Sequence, residues 1–388
     1  MHLGVSLATL RPGHVGGAET YLRALLRELA TLERPERITI LANPDVREAY
    51  GHTATDRLAL WPVDSYRPSS SSVRRAAALA RAMAAPRRLR RELPQALDVI
   101  HFPIPVPVPK AEAPSVVTYH DLAHRDLPRH FSRATRLWRR WAYDGAAREA
   151  RIVITVSQFS RERMVEHLDL DAERIRVVHH GIDHARFRPD DDSDDDRLVA
   201  SLGVSRRFLI YPANLWPHKN HERLLRAFAG LRDLDDLQLV LAGQPYGRLD
   251  WLRRLIERLG LSGRVRHVGY VAEPVVPALY RRAAAMVFPS LYEGFGAPPL
   301  EAMACGCPVA ASGRGALSEV CGSAALYFDP EDESAIAAAI RRLVAERGLR
   351  DELAKAGVRR AGGFTWRRAA LRHVALFDEA AGIEPSAS

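Results

Sequence analysis

Apolar and polar positions alternate along the chain in a repeated two-part pattern. Leu3–Ala8, Ile38–Ala42, Val99–Phe102, Val116–Tyr119, Ile152–Val156 and Ile175–Val178 are short apolar runs bounded by polar turns. Such runs predict buried strands, and their near-continuous hydrophobicity predicts a parallel sheet covered on both faces. In Ala18–Leu32 the apolar positions Tyr21, Leu22, Leu25, Leu26 and Leu29 recur at helical spacing. The alternation restarts in the second half. Strands are expected at Phe208–Pro212, Leu237–Ala242, Val265–Val268, Ala285–Pro289, Pro308–Ala311 and Ala324–Phe328. Helices are expected at Glu222–Leu231, Trp251–Leu259, Val275–Ala284, Pro298–Cys305, Glu333–Arg347 and Trp366–Ala380. The pattern is that of an α/β protein with two doubly wound units, whose ligands sit at the carboxyl ends of the strands.

The two halves meet at Phe187-Arg188-Pro189, which leads into six aspartates within seven positions, Asp190–Asp196. So dense a charge run predicts a solvated interdomain linker rather than packed structure. A metal-binding cluster is the sharper reading of the same run, but no second ligand set accompanies it.

Composition narrows the class. The chain has 388 residues, 47% hydrophobic and 27% charged, as in ordinary globular proteins. The 56 Lys and Arg against 47 Asp and Glu give a formal net charge of +9. Residues 1–185 contribute +7 of this and residues 186–388 only +2. Lys110, Lys219 and Lys355 are the only lysines, so a Lys inside a motif stands out against the arginine background. Cys305, Cys307 and Cys321 are odd in number and clustered, which predicts small buried residues in a reducing cytoplasm. Met1–Leu7 has neither the charged start nor the cleavage site of a secretory signal. No apolar stretch of about 18 residues is present to span a bilayer.

Two arginine-rich stretches lie in the first half. Ser72–Leu93 carries seven Arg with Leu79, Met83 and Leu89. A second holds Arg133, Arg136, Arg139 and Arg140 with Trp138 and Trp141. Each reads equally as a face for an anionic membrane or lipid-phosphate acceptor and as a solvated surface. Nucleic acid is not expected, because no base-stacking or groove-reading motif accompanies the charge.

The densest chemistry lies in Pro289–Pro308. A strand ends at Pro289, Glu293 precedes Gly294-Phe295-Gly296-Ala297, and a helix opens near Pro298 with Glu301 expected in its first turn. Amides of Gly294–Ala297 at a helix N-terminus suit an anionic or hydroxylated ligand. This segment resembles the E-x7-E motif of retaining glycosyltransferases of the large group 1 family with the GT-B fold. The resemblance extends over His179-His180-Gly181-Ile182-Asp183, Phe208–Phe228 with Pro217-His218-Lys219-Asn220, Gly269-Tyr270-Val271, Gly313–Val320 and Gly16-Gly17-Ala18-Glu19. It runs from Gly16 to Pro330.

The resemblance implies two Rossmann-like domains facing a central cleft. Residues 1–186 would bind the acceptor, 187–365 the nucleotide sugar, and 366–388 would form a helix crossing back to the first domain, followed by a tail. It implies that Glu293 holds hydroxyls of the donor sugar, Glu301 the ribose, and Lys219 the leaving diphosphate, with the amides of Phe295 and Gly296. Asn214 would also bind the donor, His218 would supply a donor group beside Lys219, Gly269, Tyr270 and Val271 would form the base side, and Gly294 and Ala297 the loop. His120 would face the sugar, and Gly16 and Gly17 a phosphate or acceptor. His101 reads as structural. Family members often carry Arg where this chain has Ala213, leaving the usual Arg/Lys clamp incomplete. The expected reaction is metal-independent, retaining transfer of a hexose to a glycan or lipid-linked acceptor in cell-surface polysaccharide or glycolipid synthesis, without a cofactor beyond the nucleotide sugar. GDP-mannose is the first donor expected, with UDP-glucose as an option. The setting would be cytoplasmic, at the inner face of a membrane if one is contacted. A sugar-nucleotide epimerase of similar fold and a binding-only relative are the alternative readings. A dehydrogenase would need a dinucleotide fingerprint that is missing.

Overall fold

The computed structural model describes residues 1–13, 16–64, 77, 93–94, 96–190, 192–204 and 207–384. Most of the Ser72–Leu93 arginine stretch, with His14, Val15 and Asp191, therefore lies outside the described residues. The chain divides into two compact units, Met1–Gly181 with Trp366–Ser388, and Ile182–Thr365. The second unit thus begins five residues before the position 187 read from sequence.

In the first unit β1 (His2–Ser6), β2 (Arg37–Ala42), β3 (Leu58–Pro62), β4 (Val99–Phe102), β5 (Ser115–Thr118), β6 (Ile152–Thr155) and β7 (Ile175–Val177) form a parallel sheet in the order β3-β2-β1-β4-β5-β6-β7. Strand β3 is not evident from the apolar pattern. It is an edge strand with one fully buried residue, Leu58, and it ends in a proline, so it lacks the apolar run that marks its neighbours. Leu3, Val5, Ile38 and Ile40 pack with Tyr21, Leu22, Leu25 and Leu29 of the Gly17–Thr31 helix. Ala369, Ala370, Val374, Phe377 and Ala380 of the Trp366–Ala381 helix complete this layer.

The second unit holds β8 (Phe208–Pro212), β9 (Gln238–Ala242), β10 (Val265–Gly269), β11 (Ala285–Phe288), β12 (Val309–Ser312) and β13 (Ala325–Phe328), parallel in the order β10-β9-β8-β11-β12-β13. In each sheet the chain builds outward on one side and then returns to the other side of its first strand. The switch points fall between β1 and β4, and between β8 and β11, and the crevices beyond their carboxyl ends are the places for ligands.

The aspartate run is not a solvated linker throughout. Asp195 starts the Asp195–Ser201 helix and is fully buried, and its two oxygens bind Arg281 Nε at 2.6 Å and Nη2 at 2.7 Å. Charge density alone does not keep an acid in water when a bidentate guanidinium meets it. The helix Arg347–Gly362 is likewise not evident from pattern, because it buries small residues, with Gly357 and Ala361 beside Leu353. A Cβ at Gly357 would lie 3.0 Å from Met303 Cγ. The three cysteines are free and buried, and burial pushes the Cys305 thiol up to about 12.

Candidate functional site

The second switch point brings together the turn after β8 and the loop after β11. The Pro217–Lys219 turn ends at Asn220, whose φ of 61° is left-handed, a conformation Asn tolerates better than most residues. The buried Asn220 amide donates to the carbonyls of Pro289 at 3.1 Å and Pro330 at 2.7 Å. Leu291 N donates to His218 O at 2.8 Å, and the Tyr211 hydroxyl to Lys219 O at 2.5 Å. This stitching sets Lys219 against the β11 loop, and its Nζ lies 2.5 Å from Glu293 Oε1. Both side chains are mostly buried. A cation and a carboxylate thus meet at the point where the sheet opens.

Glycines shape the rest of the loop. Gly296 has a φ of 98° and caps the helix Ala297–Ala304, and a Cβ there would lie 2.5 Å from Leu317. Gly315, with φ 65°, packs so closely on Glu293 that a Cβ would sit 2.9 Å from its backbone N and O. Ala316 N donates to Glu293 O at 3.0 Å. The first amides of the Ala297 helix have no intrahelical acceptors, as at any helix start.

Glu301 is not in the first turn, as the sequence suggested. The helix starts at Ala297 and its first turn holds no acid. Its environment comes from burial instead. Desolvation pushes its carboxyl up to about 7, opposed by the Arg186 guanidinium and by the Tyr280 hydroxyl, which donates to Oε2 at 3.2 Å. Tyr280 and Arg186 are thus neighbours of Glu301 that the sequence does not mark. Tyr280 looks like an ordinary apolar position of its helix, so no sequence signal distinguishes it.

Ala213 is buried, and the backbone beside it is tight. A Cβ on Gly243 would lie 2.4 Å from Ala213 O, and Asn214 Oδ1 accepts from Gln244 N at 2.7 Å. Asn214 therefore joins the β8 and β9 loops. At the end of β10, Gly269 O accepts from Gly243 N at 2.7 Å, Val271 is buried and Tyr270 is exposed. His218 is half-buried on the Lys219 turn.

The first unit carries the remaining candidates. Gly16, with φ 59°, precedes the Gly17–Thr31 helix, and the Glu19 carboxylate steadies the turn by accepting from Gly13 N at 2.7 Å. His120 follows β5, and its ring contacts Tyr21 and His180 at centroid distances of 5.0 and 5.5 Å. His101 is fully buried and bonds Thr118 Oγ1 at 2.8 Å, in keeping with a structural role.

Two parallel, helix-covered sheets with chemistry at their switch points define a GT-B-like α/β architecture. HepE from Anabaena, solved with UDP and glucose, shares this fold, with a TM-score of 0.74 at 22% identity over 98% of this chain and all of that one. Sucrose-phosphate synthase from Thermosynechococcus elongatus gives 0.75 at 22% identity, with 98% of each chain covered. The profile of "Glycosyl transferases group 1" matches residues 193–360, and that of "Glycosyltransferase Family 4" residues 15–186. The MMP alpha-(1->4)-mannosyltransferase of Mycolicibacterium hassiacum is 33% identical over 70% of this chain and 67% of its own length. O-antigen chain mannosyltransferase B of Escherichia coli is 30% identical over 65% and 67%. A D-inositol 3-phosphate glycosyltransferase of Salinispora tropica is 34% identical over 56% of this chain and 48% of its own length. The chain belongs to the group 1, or family 4, glycosyltransferases.

Proposed function

We propose that the protein transfers a hexose, mannose in the first instance, from a nucleoside diphosphate sugar to a glycan or lipid-linked acceptor in polysaccharide or glycolipid synthesis, with retention of configuration and without a metal. The Lys219–Glu293 pair at the switch point of the second sheet carries this reading. When the C1–O bond to the diphosphate breaks, negative charge grows on the leaving oxygen. Lys219 and the helix N-terminus at Ala297 are preorganised to stabilise it, the role a metal plays elsewhere. Glu293, already ion-paired, accepts from sugar hydroxyls, and Glu301 accepts from the ribose. The acceptor oxygen then bonds C1 on the face the phosphate leaves, and its proton passes to the departing phosphate oxygen. No side-chain nucleophile is needed. The mannosyltransferase relatives favour mannose as the sugar.

The test is a panel of GDP-mannose, UDP-glucose and UDP-N-acetylglucosamine, read by thermal shift and donor hydrolysis with and without EDTA. Turnover of at least one donor, unaffected by EDTA and releasing the α-anomer, is expected. Silence across the panel overturns the transferase reading, and loss of turnover in EDTA overturns metal independence.

Membrane contact through the first unit belongs to the same proposal. Leu137 and Trp141 are 67% and 48% exposed, and exposed Arg133 and Arg140 flank them, a pairing that fits an anionic lipid surface. No helix among the described residues is long and apolar enough to cross a membrane. Sedimentation with phosphatidylglycerol vesicles but not with phosphatidylcholine, abolished by Leu137→Asp, is the expected outcome. Equal binding to both lipids, or to neither, contradicts it.

A further inference from the structure

Beneath His120 lies a set of buried polar groups that the proposed reaction leaves unused. Tyr21, His101, Thr118 and His373 are each at most 1% exposed. The Tyr21 hydroxyl lies 2.8 Å from His373 Nε2 and 3.1 Å from Thr118 Oγ1, and Thr118 Oγ1 lies 2.8 Å from His101 Nε2.

The direction of every link follows from one carbonyl. His373 Nδ1 lies 2.8 Å from Ala369 O, which can only accept, so Nδ1 carries a proton. Burial holds the His373 ring neutral, down to about 4, so its Nε2 is a bare acceptor. Tyr21 must therefore donate to His373. Its oxygen accepts from the Thr118 hydroxyl, which accepts in turn from His101 Nε2–H. No member can be reversed without stranding a buried donor.

The His120 ring donates to the Pro103 carbonyl, and burial lowers its pKa against the pull of the Asp121 carboxylate. Its Nε2 is buried and has no hydrogen-bond partner among the described residues. Nδ1 is thus the protonated nitrogen, and Nε2 is left a buried acceptor without a partner, which a substrate hydroxyl seated against the ring would satisfy. The Tyr21 ring packs edge-on to His120 at 5.0 Å and 80°, and stacks on His180 at 4.8 Å and 22°. One ring, fixed at its hydroxyl end, therefore sets the attitude of the other two.

We propose that Tyr21 is a positioning residue for glycosyl transfer: clamped by Thr118 and His373, it holds His120 with Nε2 facing a hydroxyl of the bound substrate. The proposal rests on the transferase reading. It also makes the Trp366–Ala381 helix, through His373, a contributor to His120 geometry.

The test uses the full chain with Tyr21→Phe, which keeps the ring and removes the clamp. In wild type, nitrogen-15 NMR of labelled histidines is expected to show His120 as a single Nδ1–H tautomer. In Tyr21→Phe and in His373→Leu the loosened His120 ring is expected to leave the Pro103 carbonyl for part of the time, so that its signal averages between tautomers. With donor and acceptor, Tyr21→Phe is expected to lower kcat about 10- to 100-fold while the donor KM stays within about twofold. The Tyr21→Phe/His120→Ala double variant is expected to be no slower than His120→Ala, because the two act as one unit. An unaltered His120 tautomer in both clamp variants overturns the proposal, and so does a double variant whose losses multiply. If no nucleotide sugar turns over even in wild type, the transferase reading fails, and the NMR comparison alone decides whether Tyr21 sets His120.

Discussion

At the scale of single residues the site is a set of charges held against their preference for water. Lys219 and Glu293 neutralise each other in the free protein, and each loses its partner when the other is removed. Lys219→Met is expected to cut turnover by about 10²- to 10³-fold, the range for losing one preorganised electrostatic contact. Steady-state kinetics on the preferred donor checks it. Glu301 behaves differently, because burial rather than a partner dominates it. Its folded pKa of about 7 stands above the ordinary value of 4.5, so the folded state holds the proton more tightly. The stability this contributes is full below about 4.5 and is lost as pH rises through 7. Glu301→Gln removes that dependence. Its melting temperature relative to wild type, both without nucleotide, is expected to be higher at pH 8 than at pH 5. Thermal shift by the nucleoside diphosphate should be weaker in the same variant, since an amide accepts ribose hydroxyls less strongly than a carboxylate.

At the scale of elements, legibility followed the apolar content of each segment. Strands β1, β4, β8 and β11 are short runs buried on both faces, and nothing competes with that signal. Strand β3 and the Arg347–Gly362 helix are set by their neighbours instead. One is recruited by backbone pairing to β2, the other by close approach of Gly357 to Met303. The site followed the same division. Glu293, Glu301 and Lys219 stand in recognisable local motifs. Tyr280 and Tyr21 take their hydrogen-bond partners from 21 and 352 residues away, which no local pattern encodes. Gly315 is the element-scale link between packing and chemistry. Gly315→Ala would force a Cβ to 2.9 Å from the Glu293 backbone at a φ of 65°. Strain of about 1–3 kcal/mol is expected. Because the closest atoms belong to Glu293, kcat should fall further than stability does. Kinetics beside urea denaturation separates the two effects.

At the scale of the whole molecule, the sequence order of the chain and the membership of its two units differ. The Trp366–Ala381 helix follows the second unit in sequence yet completes the core of the first, with Phe377 fully buried there. Asp195 lies in what reads as a linker yet anchors Arg281 inside the second unit. These two residues therefore probe different units from positions that sequence order would misassign. Phe377→Ala leaves a cavity and is expected to cost about 3–5 kcal/mol. Asp195→Ala strands a guanidinium that is only 8% exposed, and is expected to cost about 3 kcal/mol. Multi-domain chains need not unfold in one step. If Lys219 and Glu301 hold a nucleoside diphosphate as proposed, the nucleotide stabilises the second unit by mass action. In calorimetry the nucleotide should raise one transition. Asp195→Ala should lower that same transition, and Phe377→Ala the other. If Phe377→Ala instead shifts the nucleotide-responsive transition alone, the returning helix does not stabilise the first unit, and the clamp it provides to Tyr21 through His373 loses its support.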